Sequence, residues 1–418
     1  MTSVYLHTFG CKANQYDSEV VRQALEDAGV AVVDDPARAD TAVVNSCTVT
    51  HVGEAKMRGF VRRLARAKPG LRTVVMGCAA AVDDGRIAAL PGVTGVVGGA
   101  DPAAVLHALG VRAPVPSAPL RRFGRGTRAW LKIQDGCDEH CTFCATTVAR
   151  GDNRSRLPRD LVAEARLLAG HAAEIVLTGV HIGTYGRDLG PETNLGTLVE
   201  RLIADVPAVR LRLSSVEATE VDDRLGRLLI ERPDRLASHL HAPLQSGSDR
   251  LLKRMGRHWY TAAGYRRRLE AIAARLPVFG LGADVIVGFP GETEADHRAT
   301  RALVTDLPFT YLHVFPYSER PHAPARRLGP PVAAAVIRER GAELRSLVAD
   351  RAARYRDARD GGPADVVLLE HRAGRFAGLT EDYLEVYLPV TETRPPARFP
   401  ARLERRGPLM AAHPIPVS

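Results

Sequence analysis

Residues 129–144 read AWLKIQDGCDEHCTFC. AWLKI has the length and composition of a short buried strand. The loop after it holds Cys137, Cys141 and Cys144 in a Cys-x-x-x-Cys-x-x-Cys spacing, so three thiols gather on one tight loop at a strand end. Thiolates are the preferred ligands of iron–sulfur clusters. Three of them leave one iron of a four-iron cluster open to a small chelating substrate. A structural zinc site would want a fourth ligand, and His140, adjacent to Cys141, is badly placed to close a tetrahedron.

On the C-terminal side of this loop the strand–helix rhythm continues. EIVLTG, VRLRLSS, SHLHAPL, GLGADVIVGF and TYLHVFP read as further strands, with helices such as 159–169 and 262–275 between them. Six such units in a row suggest a parallel barrel or part of one, over residues 128–357. Thr178-Gly179, Ser214-Ser215, Gln245-Ser246-Gly247 and the turn from Gly288 to Glu292 fall at the C-terminal strand ends, where such folds place their active sites. A long Arg/Ala helix spans about Val332 to Asp357. Gly361-Gly362-Pro363 breaks the pattern, and DVVLLEH, FAGLT, YLEVYL and ARFPARLE then read as a small OB-like barrel over 363–418.

On the N-terminal side, VYLHTF, TAVVN, TVVMG and GVVGG alternate with amphipathic segments, one of them from Ser18 to Ala28. This is an α/β domain with a parallel sheet, drawn at 1–112. Cys11, Cys47 and Cys78 each follow one of its strands, and two of them follow a glycine. Neighbouring strand ends would bring the three together as ligands of a second cluster, which leaves none of the six cysteines over. Residues 102–127 read as a linker, with 113–127 its basic core. From Pro102 to Gln134 there is no acidic residue, while Arg112, Arg121, Arg122, Arg125, Arg128 and Lys132 are basic.

The 418 residues carry a net charge of +9 and are 45% hydrophobic, which fits several cored domains and a polyanionic partner. Only five of the 57 basic residues are Lys, so part of the charge reads as Arg-rich composition. The opening MTSVYLHTFGCK has no charged segment followed by an apolar one, and no apolar run approaches the ~18 residues of a membrane span. A cytoplasmic protein without a membrane partner is therefore expected, and in that compartment cysteines serve as ligands more often than as disulfides.

The chain resembles the methylthiotransferase family of radical S-adenosylmethionine enzymes. The resemblance rests on TFGCKANQYDSE, VVNSCTVT, VVMGCAA, KIQDGCDEHCTFC, IVLTGVHIGTYG, SSVEATEV, HLHAPLQSGSDRLLKRMGR, ADVIVGFPGETEAD and FPYSERP. QDGC, SSVEATEV and FPYSERP look most like the branch that adds a methylthio group to C2 of N6-threonylcarbamoyladenosine beside the tRNA anticodon. The resemblance implies an N-terminal methylthiotransferase domain, a partial (βα)6 radical barrel and a C-terminal TRAM domain. It implies two [4Fe-4S] clusters: one on Cys137, Cys141 and Cys144 that reduces S-adenosylmethionine, and an auxiliary one on Cys11, Cys47 and Cys78 linked to sulfur donation. Phe143 takes the hydrophobic place against the adenine of the cofactor. Gly179 at a strand end admits close backbone approach, and Ser215, Glu217 and Gln245 are candidates to bind the ribose or amino acid end. A tRNA substrate, a flavodoxin- or ferredoxin-like electron donor and a sulfur donor are the implied partners.

Two departures stand out. Ala145-Thr146-Thr147 replaces a usual proline after the triad, and His322-Ala323 follows Pro321 where Gly-Thr is common. The competing readings are a methylthiotransferase for isopentenyladenosine tRNA or for a ribosomal-protein aspartate, and a non-catalytic iron–sulfur RNA-binding protein. Arg394, Arg398, Arg402, Arg405 and Arg406 against a lone Glu404 favour RNA, and Gly361-Gly362 would let the C-terminal module move. His181, His239 and His241 are read as satisfying local hydrogen bonds, and Arg254 and Arg257 as meeting phosphate or solvent.

Overall fold

The structure, a computed structural model, describes residues 3–48, 50–114, 119–124, 126–206, 209–320, 323–372, 375–389 and 394–415. Arg125 of the basic linker and Pro321-His322 lie outside these residues.

The first sheet contains β1 (Ser3–Thr8), β2 (Ala31–Val33), β3 (Thr41–Ser46), β4 (Arg72–Gly77) and β5 (Val93–Gly98), all parallel, in the order β2-β1-β3-β4-β5. Strand β3 is buried along its whole length, as expected where helices cover both faces of a parallel sheet. One face packs Val21 and Leu25 of α1 (Lys12–Asp27) with Val105 and Leu106 of a C-terminal helix; the other packs Met57, Val61 and Leu64 of α2 (His51–Ala67). A one-turn helix, α3 (Cys78–Ala81), begins directly at the end of β4. The strand order places β1, β3 and β4 side by side, so the segments bearing Cys11, Cys47 and Cys78 share one edge of the sheet. Residues 102–108, expected in a linker, form α4 (Pro102–Ala108) instead. Asp101 caps it by accepting from Ala103 N at 3.1 Å, and its apolar side completes the sheet's core.

The second unit begins with β6 (Arg128–Lys132) and a short antiparallel pair, β7 (Gln134–Asp135) with β8 (Arg154–Ser155), that frames α5 (Thr146–Arg150). It continues through α6 (Pro158–Ala169), β9 (Glu174–Thr178), α7 (Leu195–Asp205), β10 (Arg210–Leu213), α8 (Asp223–Glu231) and β11 (His239–His241). Helices α9 (Asp249–Arg254) and α10 (Ala262–Ala273) precede β12 (Gly280–Val287), α11 (Glu294–Asp306), β13 (Tyr311–Pro316) and α12 (Ala334–Arg359). The strands form two parallel sheets, β10-β9-β6 and β11-β12-β13, joined by bridges at Leu211–Leu236 and Ser215–His241. Among the described residues β6 and β13 do not pair. The six strands therefore form an open, partial barrel.

Five strands close the C-terminal barrel: β14 (Pro363–Arg372), β15 (Arg375–Thr380), β16 (Glu385–Tyr387), β17 (Arg398–Arg406) and β18 (Leu409–Pro414). Gly361-Gly362 is not a hinge. Gly361 N donates to Leu403 O and Leu403 N to Gly362 O, both at 2.9 Å, which ties the turn into β17. The small barrel is clamped to the partial one by buried arginines. Arg210 Nη1 reaches Asp365 Oδ2 at 2.8 Å, and Arg212 Nη2 donates to Thr380 O at 2.8 Å. Two arginines expected to face RNA belong to the same clamp: Arg398 pairs with Asp365 at 2.9 Å and donates to Asp234 O, and Arg405 pairs with Asp357 at 2.6 Å. Arg406 pairs with Glu404 at 2.8 Å. Arg394 and Arg402 are exposed and have no ion pair among the described residues.

Candidate active site between two cysteine triads

The N-terminal triad is built by close backbone approach. Gly10 has φ +116°, and a Cβ there would come within 2.9 Å of Cys47 Cβ. Gly77 has φ +96°, and a Cβ there would strike Asn45 and the Ser46 backbone. Only glycine serves at both positions, so the residues before Cys11 and Cys78 are explained by the crowding of the three loops. Asn14, fully buried in the first turn of α1, accepts from Cys11 Sγ at 3.5 Å and from Cys78 Sγ at 3.8 Å. Burial pushes the Cys78 thiol up to about 11, against the pull of Arg150, with Cys11 and Cys47 adding to the rise.

Arg150 joins this triad to the other one. It ends α5, six residues after Cys144. Its Nε donates to Cys78 Sγ at 3.1 Å, and its Nη2 donates to Asn14 at 2.7 Å and Asp17 at 2.9 Å. Its Nη1 pairs with Asp135 at 2.9 Å, two residues before Cys137. Burial opposes this guanidinium's charge, but Asp17, Cys78 and Asp135 more than offset it. The two cysteine loops therefore meet across the domain interface.

At the second triad, Cys137 Sγ lies 3.7 Å from His181 Nδ1, and His181 Nε2 lies 2.9 Å from Glu220. Burial works against the imidazolium, yet these two partners hold His181 up at about 10. Cys144 Sγ is 3.0 Å from Thr146 Oγ1 and accepts from Thr146 N at 3.3 Å, so Thr146 of the unusual Ala145-Thr146-Thr147 serves this thiol. Arg257 Nη1 donates to Cys141 Sγ at 3.5 Å and its Nη2 pairs with Glu217. Burial raises the Cys141 thiol to about 12, opposed by Arg257. Arg257 is 5% exposed, so neither phosphate nor solvent is its partner. Arg254 is half-buried, with its Nη2 beside Gly291 and Gly329, and lines a surface cavity with Lys253 and His258.

The remaining expected residues divide. Phe143 is partly buried against Leu251, Met255 and Phe289. Glu217 is buried, and among the described residues its Oε2 has no hydrogen-bond partner, as is true of Trp259 Nε1 next to Arg257. Gln245 holds a left-handed φ of 60° at the strand end, a conformation that costs a non-glycine residue and concentrates at functional sites. Gly179 packs against Gln134: a Cβ would come within 2.7 Å of Gln134 O, which is reason enough for the glycine. Ser215 is exposed on the wall of a cavity of about 200 Å³ shared with Lys12 and His241. His239 and His241 meet Tyr311 Oη at 2.8 and 3.0 Å, as local hydrogen bonding requires. Asn14 and Arg150 were not foreseen as site residues, and Arg257 was read as meeting phosphate or solvent.

The chain matches the uncharacterized protein family UPF0004 over residues 3–98 and the radical SAM superfamily over 131–304. It is 37% identical over 416 residues to the threonylcarbamoyladenosine tRNA methylthiotransferase MtaB of Bacillus subtilis, covering 94% of this chain and 91% of that protein. The protein of the same name from Thermotoga maritima is 36% identical over 371 residues, 85% of this chain and 84% of that one. A tRNA-2-methylthio-N(6)-dimethylallyladenosine synthase of Acidithiobacillus ferrooxidans is 34% identical over 385 residues, 86% and 84% of the two chains. In fold, the chain is similar to the radical S-adenosylmethionine methyltransferase TsrM of Kitasatospora setae, with a TM-score of 0.57 at 16% identity over 78% of this chain and 74% of that one.

Proposed function

The chain belongs to the methylthiotransferase family of radical S-adenosylmethionine enzymes, and on that premise we propose that it adds a methylthio group to C2 of N6-threonylcarbamoyladenosine in tRNA. It is an enzyme of tRNA modification that uses S-adenosylmethionine and a [4Fe-4S] cluster. The threonylcarbamoyl branch is favoured by the Bacillus subtilis relative, 37% identical over 94% of this chain, whereas the dimethylallyl relatives reach 34–36% over 81–86% of it. No helix among the described residues is long and apolar enough to cross a membrane. The domain limits 1–112, 128–357 and 363–418 are our assignment, as are the site residues below.

The observation that carries the mechanism is Arg150, which bonds Cys78 of one triad while standing six residues from Cys144 of the other. We assign Cys137, Cys141 and Cys144 to the cluster that meets S-adenosylmethionine, and Cys11, Cys47 and Cys78 to a second one. The donor sets fit. Burial disfavours ionisation of Cys78 and Cys141 in the bare protein, a cost that binding as thiolates to a cationic iron group would offset. The orphaned Glu217 Oε2 and Trp259 Nε1 fit the polar groups of a bound amino acid or ribose. A cluster held by Cys137, Cys141 and Cys144 would supply the one-electron reduction of S-adenosylmethionine, and with it the radical chemistry that the unreactive C2–H of adenine needs.

The chain's own residues hold the geometry. Arg257 fixes Glu217 beside Cys141, Gln134 pins the turn after β9 by accepting from Val180 N and His181 N at 3.0 and 2.9 Å, and Phe143 closes the loop with apolar bulk. Arg150 holds the two triads in register. A protein electron donor and a sulfur donor complete the cycle.

Cys11→Ala should uncouple the two halves of the reaction. S-adenosylmethionine is still cleaved to 5′-deoxyadenosine, while methylthiolated RNA, followed by nucleoside mass spectrometry, disappears. Full product formation by this variant would make the N-terminal triad structural.

The C-terminal barrel carries a separate expectation. Its clamp arginines are occupied and Arg406 is paired with Glu404, so RNA contact falls to Arg394 and Arg402. Changing either to Ala should reduce the slope of log affinity against log salt by about 0.7–0.9 and leave cleavage of S-adenosylmethionine intact. An unchanged slope in both variants would remove these side chains from the RNA-binding surface.

A further inference from the structure

The cavity of about 200 Å³ is walled by all three units: Lys12 of the first, Arg212, Ser214, His241 and His313 of the partial barrel, and Tyr383 of the small barrel. Its charges are unequally engaged. Arg212 spends its Nε on Glu174 at 3.0 Å and its Nη groups on the carbonyls of Glu381 and Thr380, at 3.1 and 2.8 Å. Asp284, the carboxylate of the cavity, is shared by His241 Nε2 and His313 Nδ1, each at 3.1 Å. Tyr311 Oη lies between His241 Nδ1 and His239 Nε2, which extends the network inward. Lys12 differs from all of these. Among the described residues it makes no hydrogen bond and no ion pair, although it is partly buried and directly follows Cys11. An ammonium so placed, with the local carboxylate already taken, calls for an anion from outside the chain.

We propose that this cavity receives the N6 arm of the substrate adenine and that Lys12 binds the carboxylate at its end, so that Lys12 sets the enzyme's preference for a threonylcarbamoyl over an apolar dimethylallyl substituent. The inference rests on the substrate reading above. A threonylcarbamoyl arm brings a carboxylate, a hydroxyl and amide groups. The ammonium answers the first, and the Ser214 hydroxyl, which makes no hydrogen bond among the described residues, is available to the others. A dimethylallyl arm would leave all of these unpaired. Sites built to bond a polar group reject the analogue lacking it because their own buried groups are then unsatisfied. Lys12 also follows a proposed cluster ligand in sequence, so the arm would be held where the reacting edge of the base must be presented.

The test uses reconstituted full-length enzyme and two anticodon stem-loop RNAs, one carrying threonylcarbamoyladenosine and one its carboxylate methyl ester. Wild type should prefer the acid by roughly tenfold or more in Kd, the range of a charge-assisted hydrogen bond. Lys12→Met should bring the ratio close to one, and Lys12→Arg should restore it. Each ratio is read on one preparation, so partial loss of folded enzyme cancels; Lys12→Gln replaces Lys12→Met where the latter does not retain iron. A role for Lys12 in holding the cluster alone would weaken both RNAs equally. An undiminished acid preference in Lys12→Met or Lys12→Gln overturns the inference, as does a wild type that binds acid and ester alike. A wild type that fails to modify threonylcarbamoyl RNA but modifies dimethylallyl RNA overturns the substrate reading instead.

Discussion

Changing Cys137, Cys141 and Cys144 together to Ala is expected to abolish cleavage of S-adenosylmethionine and to halve the iron of the reconstituted protein, from about eight to about four atoms per chain. The first outcome follows from the assignment of these thiols to the cluster that meets the cofactor; no other residue of the loop can replace three ligands. The second follows from the separateness of the triads. Each sits on its own domain, and the N-terminal three are crowded together by the β1, β3 and β4 strand ends irrespective of the partial barrel. Iron analysis and 5′-deoxyadenosine release read the two outcomes independently. One zinc per wild-type chain, or cleavage that survives in the triple variant, would refute the assignment.

Glu174→Ala should cost about 3–5 kcal/mol of stability, the scale for stripping the counter-charge from buried ions. Glu174 is fully buried at the start of β9. Its Oε1 pairs with Arg128 Nε at 2.7 Å, and its Oε2 with Arg210 at 2.7 Å and Arg212 at 3.0 Å. Burial alone would raise this carboxyl; the three arginines hold it well below the usual range. Without it three guanidinium groups face one another in the barrel, and among the described residues only Arg210 retains a carboxylate, that of Asp365. Denaturant melts should show the loss, and Arg212→Met added to Glu174→Ala should recover part of it. If the double variant is no more stable than the single one, charge imbalance is not the cause.

The features that were legible in sequence are those written in local spacing. The Cys-x-x-x-Cys-x-x-Cys loop, the cysteines after successive strands and the glycines before Cys11 and Cys78 each report a constraint within a few residues. The order of the six barrel strands followed from their repetition. Strands Ala31–Val33 and Leu409–Pro414 were missed: the first has only three residues and no alternation to read, and the second contains two alanines and a histidine, a weak apolar signal. Arg257 and Arg150 were misjudged or overlooked for a different reason. A buried arginine differs from a solvated one only by its partners, and those of Arg150 come from positions 14, 17, 78 and 135. The same holds for Arg398 and Arg405, whose partners at Asp365 and Asp357 turn a basic tail into a clamp. Gly361-Gly362 looked like a hinge because glycine permits motion, whereas here the turn is held by hydrogen bonds to Leu403.

The shared cavity has a consequence for descent. Lys12, Arg212 and Tyr383 come from three units that each have a core of their own, and each could in principle be inherited as a module. Tyr383 stacks on His239 at 4.4 Å and lies 5.4 Å from the Arg212 guanidinium, so its ring is part of the wall and not a cover over it. Exchanging the small barrel between relatives would therefore alter the cavity even when every residue of the catalytic unit is retained. On the proposed role of this cavity, substrate preference is a property of the seams, and the residues on either side of a seam must change together.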